Sequence, residues 1–198
     1  YMYYTGDCVK KNIDKSIDYF TKSANLNNVK AQAVLGEIYS DKNTSFHNNE
    51  KAIHYYTLSA NNNFVTSQYC LGKYYFDTQS YEKAIYYFTK AADNNNLDAM
   101  VYLGTIYSCD IYVNHDIEKC LHYLTLASKQ ENPEAQFILG QIYLNGKYVQ
   151  RDIEKGIYFY KRAANNNFML AQFQLAMEYD KGMSVPHDIH QAIHYYKK

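Results

Sequence analysis

The sequence lacks the features that mark membrane proteins and the common enzyme families. It has no tryptophan and only 2 prolines among 198 residues. No apolar run approaches the roughly 20 residues that a membrane-spanning helix needs, and the N-terminus has neither the basic start nor the apolar segment of a signal peptide. Because position 1 is tyrosine rather than methionine, we expect the chain to be part of a longer protein.

Charge of one sign is also missing. The chain carries 20 basic and 20 acidic side chains, and it contains no run of five Lys or Arg residues. Surfaces that bind nucleic acids or anionic membranes need an excess of basic residues. The composition therefore argues against a nucleic-acid partner and against membrane insertion.

The cysteines do not form a motif. Cys8, Cys70, Cys109 and Cys120 show no CxxC spacing and no regular positions. Unpaired thiols of this kind are typical of a reducing compartment, so we expect free thiols and a cytoplasmic location.

An internal repeat is what the sequence does have. Leu-Gly pairs lie at 35–36, 71–72, 103–104 and 139–140, and Leu-Ala follows at 175–176, so the steps are 36, 32, 36 and 36 residues. A tyrosine follows three places after each pair. A fixed period of this length predicts stacked units of supersecondary structure.

A second set of positions in the same phase carries residues that favour helix N-caps, whose side-chain oxygen accepts a bond from the first turn. These residues are Asn12, Asn48, Ser80, Asp116, Asp152 and Asp188. An acidic residue follows two places later in five of the six cases, as the positive end of a helix favours. Each repeat therefore contains two helices, helix A with the Leu-Gly pair and helix B after the cap.

Helix A contains the glycine in its middle, which costs about 1 kcal/mol relative to alanine. Its recurrence indicates a helix–helix contact too close for a methyl group. Helix B carries isoleucine, aromatic and small residues at helical spacing, and it ends in asparagine runs such as 61–63 and 165–167. Asparagine tolerates the left-handed conformation that often ends helices.

The repeats predict a single all-α array. We place a partial repeat at 1–29, repeats at 30–65, 66–97 with a short loop, 98–133 and 134–169, and a partial repeat at 170–198. One helix pair cannot bury its apolar face alone, so we expect further repeats or capping helices beyond both ends.

Residues 134–167 resemble the Sel1-like repeat family, a relative of the tetratricopeptide repeat, whose pattern is A-x-x-x-L-G-x-x-Y-x-x-G-x-x-V-x-x-D-x-x-K-A-x-x-Y-Y-x-x-A-A. The chain departs from it in the loops containing Lys42 and Asp110. The resemblance implies a right-handed α-solenoid of stacked antiparallel helix pairs that serves as a scaffold or adaptor for protein partners. Family roles in endoplasmic-reticulum quality control make that compartment the alternative location.

Catalytic and metal-binding chemistry is not indicated. The sequence contains no phosphate-binding glycine loop, GxSxG, HExxH or EF-hand motif. The aspartates at the N-cap positions are explained by capping. A column of lysines, which includes Lys155, lies three places after these caps, and we interpret these lysines as solvated or paired with carboxylates. Helices pack about 8–10 Å apart, so histidines in alternate repeats should lie roughly 20 Å apart or more. They cannot share a metal, because zinc ligands lie about 2 Å from the ion. We therefore expect no enzyme activity, cofactor or metal.

Positions of helix A that vary between repeats are the best candidates for binding a partner. They are Gln32, Glu37, Gln68, Lys73, Thr105, Gln136, Gln141 and Gln172. Tyrosines outside the repeated core positions are further interface candidates, namely Tyr69, Tyr74, Tyr86, Tyr102 and Tyr158. Two alternatives remain open: a regulatory region of a larger enzyme such as a protein kinase, or a structural spacer without a ligand.

Overall fold

The computed structural model describes residues 1–109 and 111–198, which form helices and turns without a strand. The expectation for the loop at Asp110 therefore falls partly outside the described residues. The helices are α1 (Met2–Thr5), α2 (Ile13–Asn25), α3 (Val29–Ser40), α4 (Asn49–Asn61), α5 (Val65–Asp77), α6 (Tyr81–Asp93), α7 (Leu97–Tyr107), α8 (Ile117–Lys129), α9 (Pro133–Asn145), α10 (Ile153–Asn165), α11 (Met169–Lys181) and α12 (Ile189–Tyr196).

The helices form two compact units, Tyr1–Asn96 and Leu97–Lys198. Odd-numbered helices are the A helices and even-numbered helices are the B helices. Within each unit every A helix packs against the B helix that follows it, and that B helix packs against the next A helix. Short turns between neighbouring helices favour this antiparallel pairing, so the all-α prediction is confirmed.

The predicted N-caps start the B helices. The side chains of Asn12, Asn48, Asp116, Asp152 and Asp188 each accept a bond from a backbone N–H of the first turn. Ser80 occupies the same position, but its side chain makes no capping hydrogen bond. Its ψ angle is 65°, whereas the other five lie between 90° and 103°. The three-residue connection before α6 thus changes the cap geometry.

A left-handed residue ends the turn after each of five B helices. Asn27, Asn63, Asn95 and Asn167 have φ angles of 58° to 63°, and Glu131 has a φ of 61°. The tolerance of asparagine for this conformation accounts for the asparagine runs, and Glu131 is the exception.

The repeated glycines explain how closely the two helices of a pair approach. A Cβ on Gly36 would lie 2.5 Å from Cδ1 of Tyr56, and one on Gly72 would lie 2.5 Å from Cδ1 of Phe88. Gly140 faces the ring of Tyr160 in the same way. The contact is therefore too close for a methyl group, as the sequence predicts.

Ala176 takes the glycine position in the last pair. Tyr196, which corresponds to the facing aromatic residue, is 50% exposed at the end of α12.

Candidate functional site

The Lys column at the start of each B helix lies over tyrosine rings of the A helices. Lys155 Nζ lies 4.0 Å from the ring centroid of Tyr143, and Lys51 Nζ lies 5.1 Å from that of Tyr39. Lys119 also pairs with Asp116 at 2.9 Å, as expected from sequence. The other interpretation, a solvated lysine, is incomplete because the tyrosine face attracts the ammonium group.

Each of these tyrosines stacks on an aromatic residue of the following B helix. The rings of Tyr39 and Tyr55 are 5.8 Å apart and tilted by 8°, and those of Tyr143 and Phe159 are 5.9 Å apart and tilted by 9°. Sequence reasoning missed this contact, although an aromatic residue four places after the lysine is the signal. These Lys–Tyr–aromatic groups hold the helix pairs together, so their side chains are occupied by contacts within the fold.

The glutamine column lies inside the protein. Gln32, Gln68 and Gln136 are 0–2% exposed and Gln172 is 7% exposed. The Nε2 atom of each donates a hydrogen bond to a backbone carbonyl eight residues earlier, at 3.2 to 3.4 Å. These four side chains join α3, α5, α9 and α11 to the end of the preceding B helix.

This placement corrects the assignment of Gln32, Gln68, Gln136 and Gln172 to a partner-binding surface. The A helix is covered on two sides, by the B helix of its own pair and by the B helix before it. The sequence pattern showed the first contact and not the second.

The other four candidates, Glu37, Lys73, Thr105 and Gln141, directly follow the repeated glycine and are exposed or half-buried. They share one face with residues three and seven places before them, because i, i+4 and i+7 lie together on a helix. We call this face the A face. In the first unit it consists of Lys30, Val34, Glu37, Thr66, Cys70 and Lys73, and in the second unit of Asp98, Tyr102, Thr105, Glu134, Ile138, Gln141, Leu170, Gln174 and Met177.

In the first unit the A face opens into a cleft of about 660 Å³. It is lined by Tyr1, the first residue of the sequence, by the apolar side chains of Phe20, Val34 and Phe64, and by Cys70 from α5.

The floor of the cleft is held by a polar contact. The hydroxyl groups of Ser40 and Tyr56 lie 3.2 Å apart. Burial raises the pKa of the Tyr56 hydroxyl and that of the Cys70 thiol. Both groups are therefore neutral near pH 7, so the floor presents no charge to a ligand.

Two charged side chains, Lys30 and Glu37, lie at the edge of the cleft. Burial, followed by the negative charge of the nearby Glu37 carboxylate, raises the pKa of Tyr4 to about 12. For Lys30, no carboxylate lies within 4.0 Å among the described residues.

The A face of the second unit carries the opposite charge at the equivalent position. Glu134 corresponds to Lys30, and Asp98 occupies the same place on α7. Burial, followed by the charge of Asp98, raises the pKa of Glu134. The two carboxylates therefore lie near enough to repel each other.

The predicted tyrosine candidates fall into two groups. Tyr86 and Tyr158 are 53% and 54% exposed on B helices, with a lysine or arginine over each ring. Tyr69, Tyr74 and Tyr102 are half-buried on A helices. Only Tyr102 belongs to the A face.

The residues that the structure describes contain no group of three His, Cys, Asp or Glu side chains that could hold a metal ion. The four cysteines are free thiols, and burial raises the pKa of Cys120 to about 12. Within the described ranges, no helix is both long and apolar enough to cross a membrane.

Comparison with known proteins gives the family. The Sel1 repeat model matches residues 1–28, 29–64, 66–96, 97–132, 133–168 and 170–198. The chain belongs to the Sel1 repeat family. Proteins built from Sel1 repeats are typically protein-interaction scaffolds. No curated protein sequence matches the chain.

Solved Sel1 structures share the fold. A Sel1 repeat protein from Oxalobacter formigenes is 28% identical, with a TM-score of 0.82 over 100% of this chain and 82% of its own. A protective antigen of uropathogenic Escherichia coli with an SLR fold is 29% identical, with a TM-score of 0.81 over 99% of this chain. This chain spans 43% of that antigen's length.

A more distant likeness extends to other bacterial proteins. An immunity protein from Pseudomonas aeruginosa is 21% identical, with a TM-score of 0.58 over 91% of this chain and 71% of its own. At this level of identity the likeness concerns the fold alone.

Proposed function

We propose that this Sel1 repeat chain is a non-catalytic adaptor that binds a peptide or protein partner on the A face. The observation that carries the proposal is the set of exposed or half-buried side chains that directly follow the repeated glycine, namely Glu37, Lys73, Thr105 and Gln141.

The contrast between the repeated positions of the A helices and the varying positions of the A face supports this function. The repeated positions of the A helices are occupied by packing, capping and hydrogen bonds within the fold. The A face remains, and its side chains differ from repeat to repeat, as in Glu37, Lys73, Thr105 and Gln141. Specific recognition needs such variation on a rigid support. The four free thiols support a reducing compartment, and hence the cytoplasm, as the location.

A peptide selection tests the proposal. Peptides of about 16 residues are selected from a random display library against the chain, and their dissociation constants are measured on two variants. The A-face variant replaces Glu37, Lys73, Thr105 and Gln141 with alanine. The control variant replaces exposed B-helix residues Asp18, His54, Tyr86 and His122 with alanine.

We expect the A-face variant to weaken binding at least tenfold, while the control variant keeps affinity within about threefold. A tenfold change corresponds to about 1.4 kcal/mol of binding free energy. If no peptide is enriched, or if only the control variant loses affinity, the proposed function is wrong. The first result would favour a structural spacer.

A further inference from the structure

We infer that His190 and His194 on α12 form a surface site for a divalent transition-metal ion that prefers imidazole ligands, namely Cu²⁺, Ni²⁺ or Zn²⁺. The site lies on a B helix and shares no residue with the A face, so the inference goes beyond the proposed function and does not depend on it. The expectation of no metal rested on histidines in alternate repeats, whereas these two histidines belong to one helix.

The spacing places both imidazoles on one side of α12. Residues four places apart on a helix are neighbours on its surface, with Cβ atoms about 5–6 Å apart. His190 and His194 have this spacing within Ile189–Tyr196. Metalloproteases with an HExxH helix use the same i, i+4 pair of histidines to hold a zinc ion. The backbone of α12 therefore brings two nitrogen ligands to one ion.

Both imidazoles are available to an ion. His190 and His194 are exposed, and neither ring has a hydrogen-bond or ion-pair partner among the described residues. The ring of His194 contacts that of Tyr195 at 5.1 Å between centroids and at an angle of 78°. By contrast, Nδ1 of His187 lies 2.8 Å from the carbonyl oxygen of Asp180, so that ring is engaged within the fold.

The exposure of these two positions is a property of the repeat and not of the place where the sequence ends. His190 lies two places after its N-cap and His194 lies six places after it. The same two positions are exposed in three repeats whose B helix packs against a following A helix in the same unit. Their residues are Glu50 and His54, Glu118 and His122, and Glu154 and Tyr158. A neighbouring repeat therefore leaves this side of a B helix open to solvent.

The ligand type selects the class of metal. Imidazole suits copper, nickel and zinc, whereas calcium and magnesium take oxygen ligands. Affinity rises from Ni²⁺ to Cu²⁺ and falls again at Zn²⁺, so Cu²⁺ should bind most tightly. The positive end of α12 disfavours a cation, and the carboxylate of the N-cap Asp188 offsets this effect. Two protein ligands leave further coordination positions to water or to a side chain of a partner.

The chain contains a matched pair with a single imidazole. Glu118 and His122 occupy the same two positions on α8, and both are exposed. A carboxylate replaces the first imidazole there, and carboxylates suit magnesium, calcium and manganese better than copper or nickel. Glu50 and His54 repeat this arrangement on α4. We therefore assign the copper and nickel preference to α12 alone.

Titration of the whole chain with metal salts tests the inference. The protein carries no histidine tag, and the probes are Cu²⁺ and Ni²⁺ alone, added above the ordinary imidazole pKa of about 6.5. The variants are His190→Asn and His194→Asn, and the matched control is His122→Asn, which removes one exposed imidazole from α8. Calorimetry measures the dissociation constants, electron paramagnetic resonance counts the nitrogen donors on Cu²⁺, and circular dichroism confirms that each variant is folded.

We expect the tightest Cu²⁺ site of the wild-type chain to have two nitrogen donors. Its affinity should fall at least tenfold in His190→Asn and in His194→Asn, with one nitrogen donor left in each. His122→Asn should keep the affinity within about twofold. Ni²⁺ should bind more weakly than Cu²⁺ and respond to the same two variants.

Several outcomes would overturn the inference. If Cu²⁺ binds as tightly to His190→Asn and His194→Asn as to the wild type, the ion lies elsewhere. If His122→Asn weakens binding as much as His190→Asn does, single exposed imidazoles account for the binding. If the tightest site shows only one nitrogen donor in the wild type, the two histidines do not act together. The peptide selection on the A face is unaffected by each of these results, so the adaptor function stands or fails separately.

Discussion

Gln32 and Gln136 occupy the same place in two repeats, one in each compact unit. Each is buried and donates its Nε2 hydrogen bond to a carbonyl eight residues earlier, Ala24 at 3.3 Å and Ser128 at 3.4 Å. The two sites differ in what the rest of the side chain meets. That difference shows which contacts the repeat provides and which belong to one repeat alone.

In the second unit the Gln136 amide is fully used. Its Nε2 also donates to Oε2 of Glu131 at 3.0 Å, and its Oε1 accepts from Nδ2 of Asn166 at 3.1 Å. Asn166 and Arg162 donate to the Glu131 carboxylate as well. Residues of α9 and α10 and the turn before α9 thus form one polar network.

In the first unit the network is absent. Asn62, the equivalent of Asn166, donates its Nδ2 to the carbonyl of Leu58 at 2.9 Å in its own helix. The Oε1 atoms of Gln32 and Gln68 are buried and have no hydrogen-bond partner among the described residues. A buried polar atom without a partner costs about 1–3 kcal/mol.

The exchange of Asn for Glu in the turn explains the contrast. Asn27 and Glu131 both take the left-handed conformation, at φ angles of 60° and 61°. That conformation costs about 1–2 kcal/mol for a residue other than glycine and is easier for asparagine. At Glu131 this cost is offset by hydrogen bonds from three side-chain donors to the carboxylate. The shorter side chain of Asn27 cannot reach the equivalent positions. The left-handed backbone conformation recurs between repeats, whereas the side-chain network belongs to the turn that contains Glu131.

Replacing the glutamine by methionine should give the largest difference in unfolding free energy between the two units. Gln136→Met removes three hydrogen bonds, one of them to a carboxylate, and we expect a loss of about 2–3 kcal/mol in unfolding free energy. Gln32→Met removes one bond and also an unpartnered oxygen, so we expect a change below about 1 kcal/mol. Urea-unfolding midpoints measure both, and equal losses would show that the Glu131 network adds no stability.

The glycine contact should behave alike in both units. Gly36→Ala and Gly140→Ala drive a methyl group into the rings of Tyr56 and Tyr160. Overpacking of this kind costs about 1–3 kcal/mol, and the better helix propensity of alanine returns about 1 kcal/mol. We expect a net loss of about 1 kcal/mol for each, measured by the same unfolding assay. Stabilisation by either change would contradict the close contact described here.

Acid should weaken the second unit through Glu131, with the smallest effect of the three. Hydrogen bonds from Asn166, Gln136 and Arg162 lower the pKa of Glu131. A lowered folded-state pKa contributes stability above the unfolded pKa, and that stability is lost as the pH falls through the folded value. The thermal midpoint of Glu131→Gln should therefore lie below that of the wild type at pH 7.

This difference should narrow as the pH falls below about 4.3, the ordinary glutamate value. Asn27→Gln in the first unit is the matched control, because Asn27 does not titrate, and its difference from the wild type should not narrow in the same way. A constant Glu131→Gln difference from pH 7 to pH 2.5 would rule out a role for the ionised carboxylate.

The parts of the fold that follow from local sequence were predictable. The caps at Asn48 and Asp152 depend on neighbours within three residues, and the glycine at 140 signals a close contact by its own cost. The burial of Gln136 depends on the preceding B helix, which the period of helix A alone does not reveal. The Glu131 network joins residues up to 35 positions apart, and it occurs once, so no repeated pattern indicates it.

The candidate site was predictable to the same degree. The positions after the glycine, such as Glu37 and Gln141, were identified because they vary between repeats and lie on the open side of helix A. The cleft was not, because it combines Phe20 and Phe64 from outside α3 with Val34 on it. Residues from three helices meet there only after the packing is known.

The most direct test of the account compares the A-face variant, in which Glu37, Lys73, Thr105 and Gln141 are replaced with alanine, with the B-helix control variant at Asp18, His54, Tyr86 and His122. The dissociation constant of a peptide selected against the wild type is measured for each variant, and thermal unfolding confirms that both remain folded. We predict at least tenfold weaker binding for the A-face variant and a change within about threefold for the control variant. Equal effects of the two variants, or undiminished binding by the A-face variant, would contradict the assignment of partner binding to the A face.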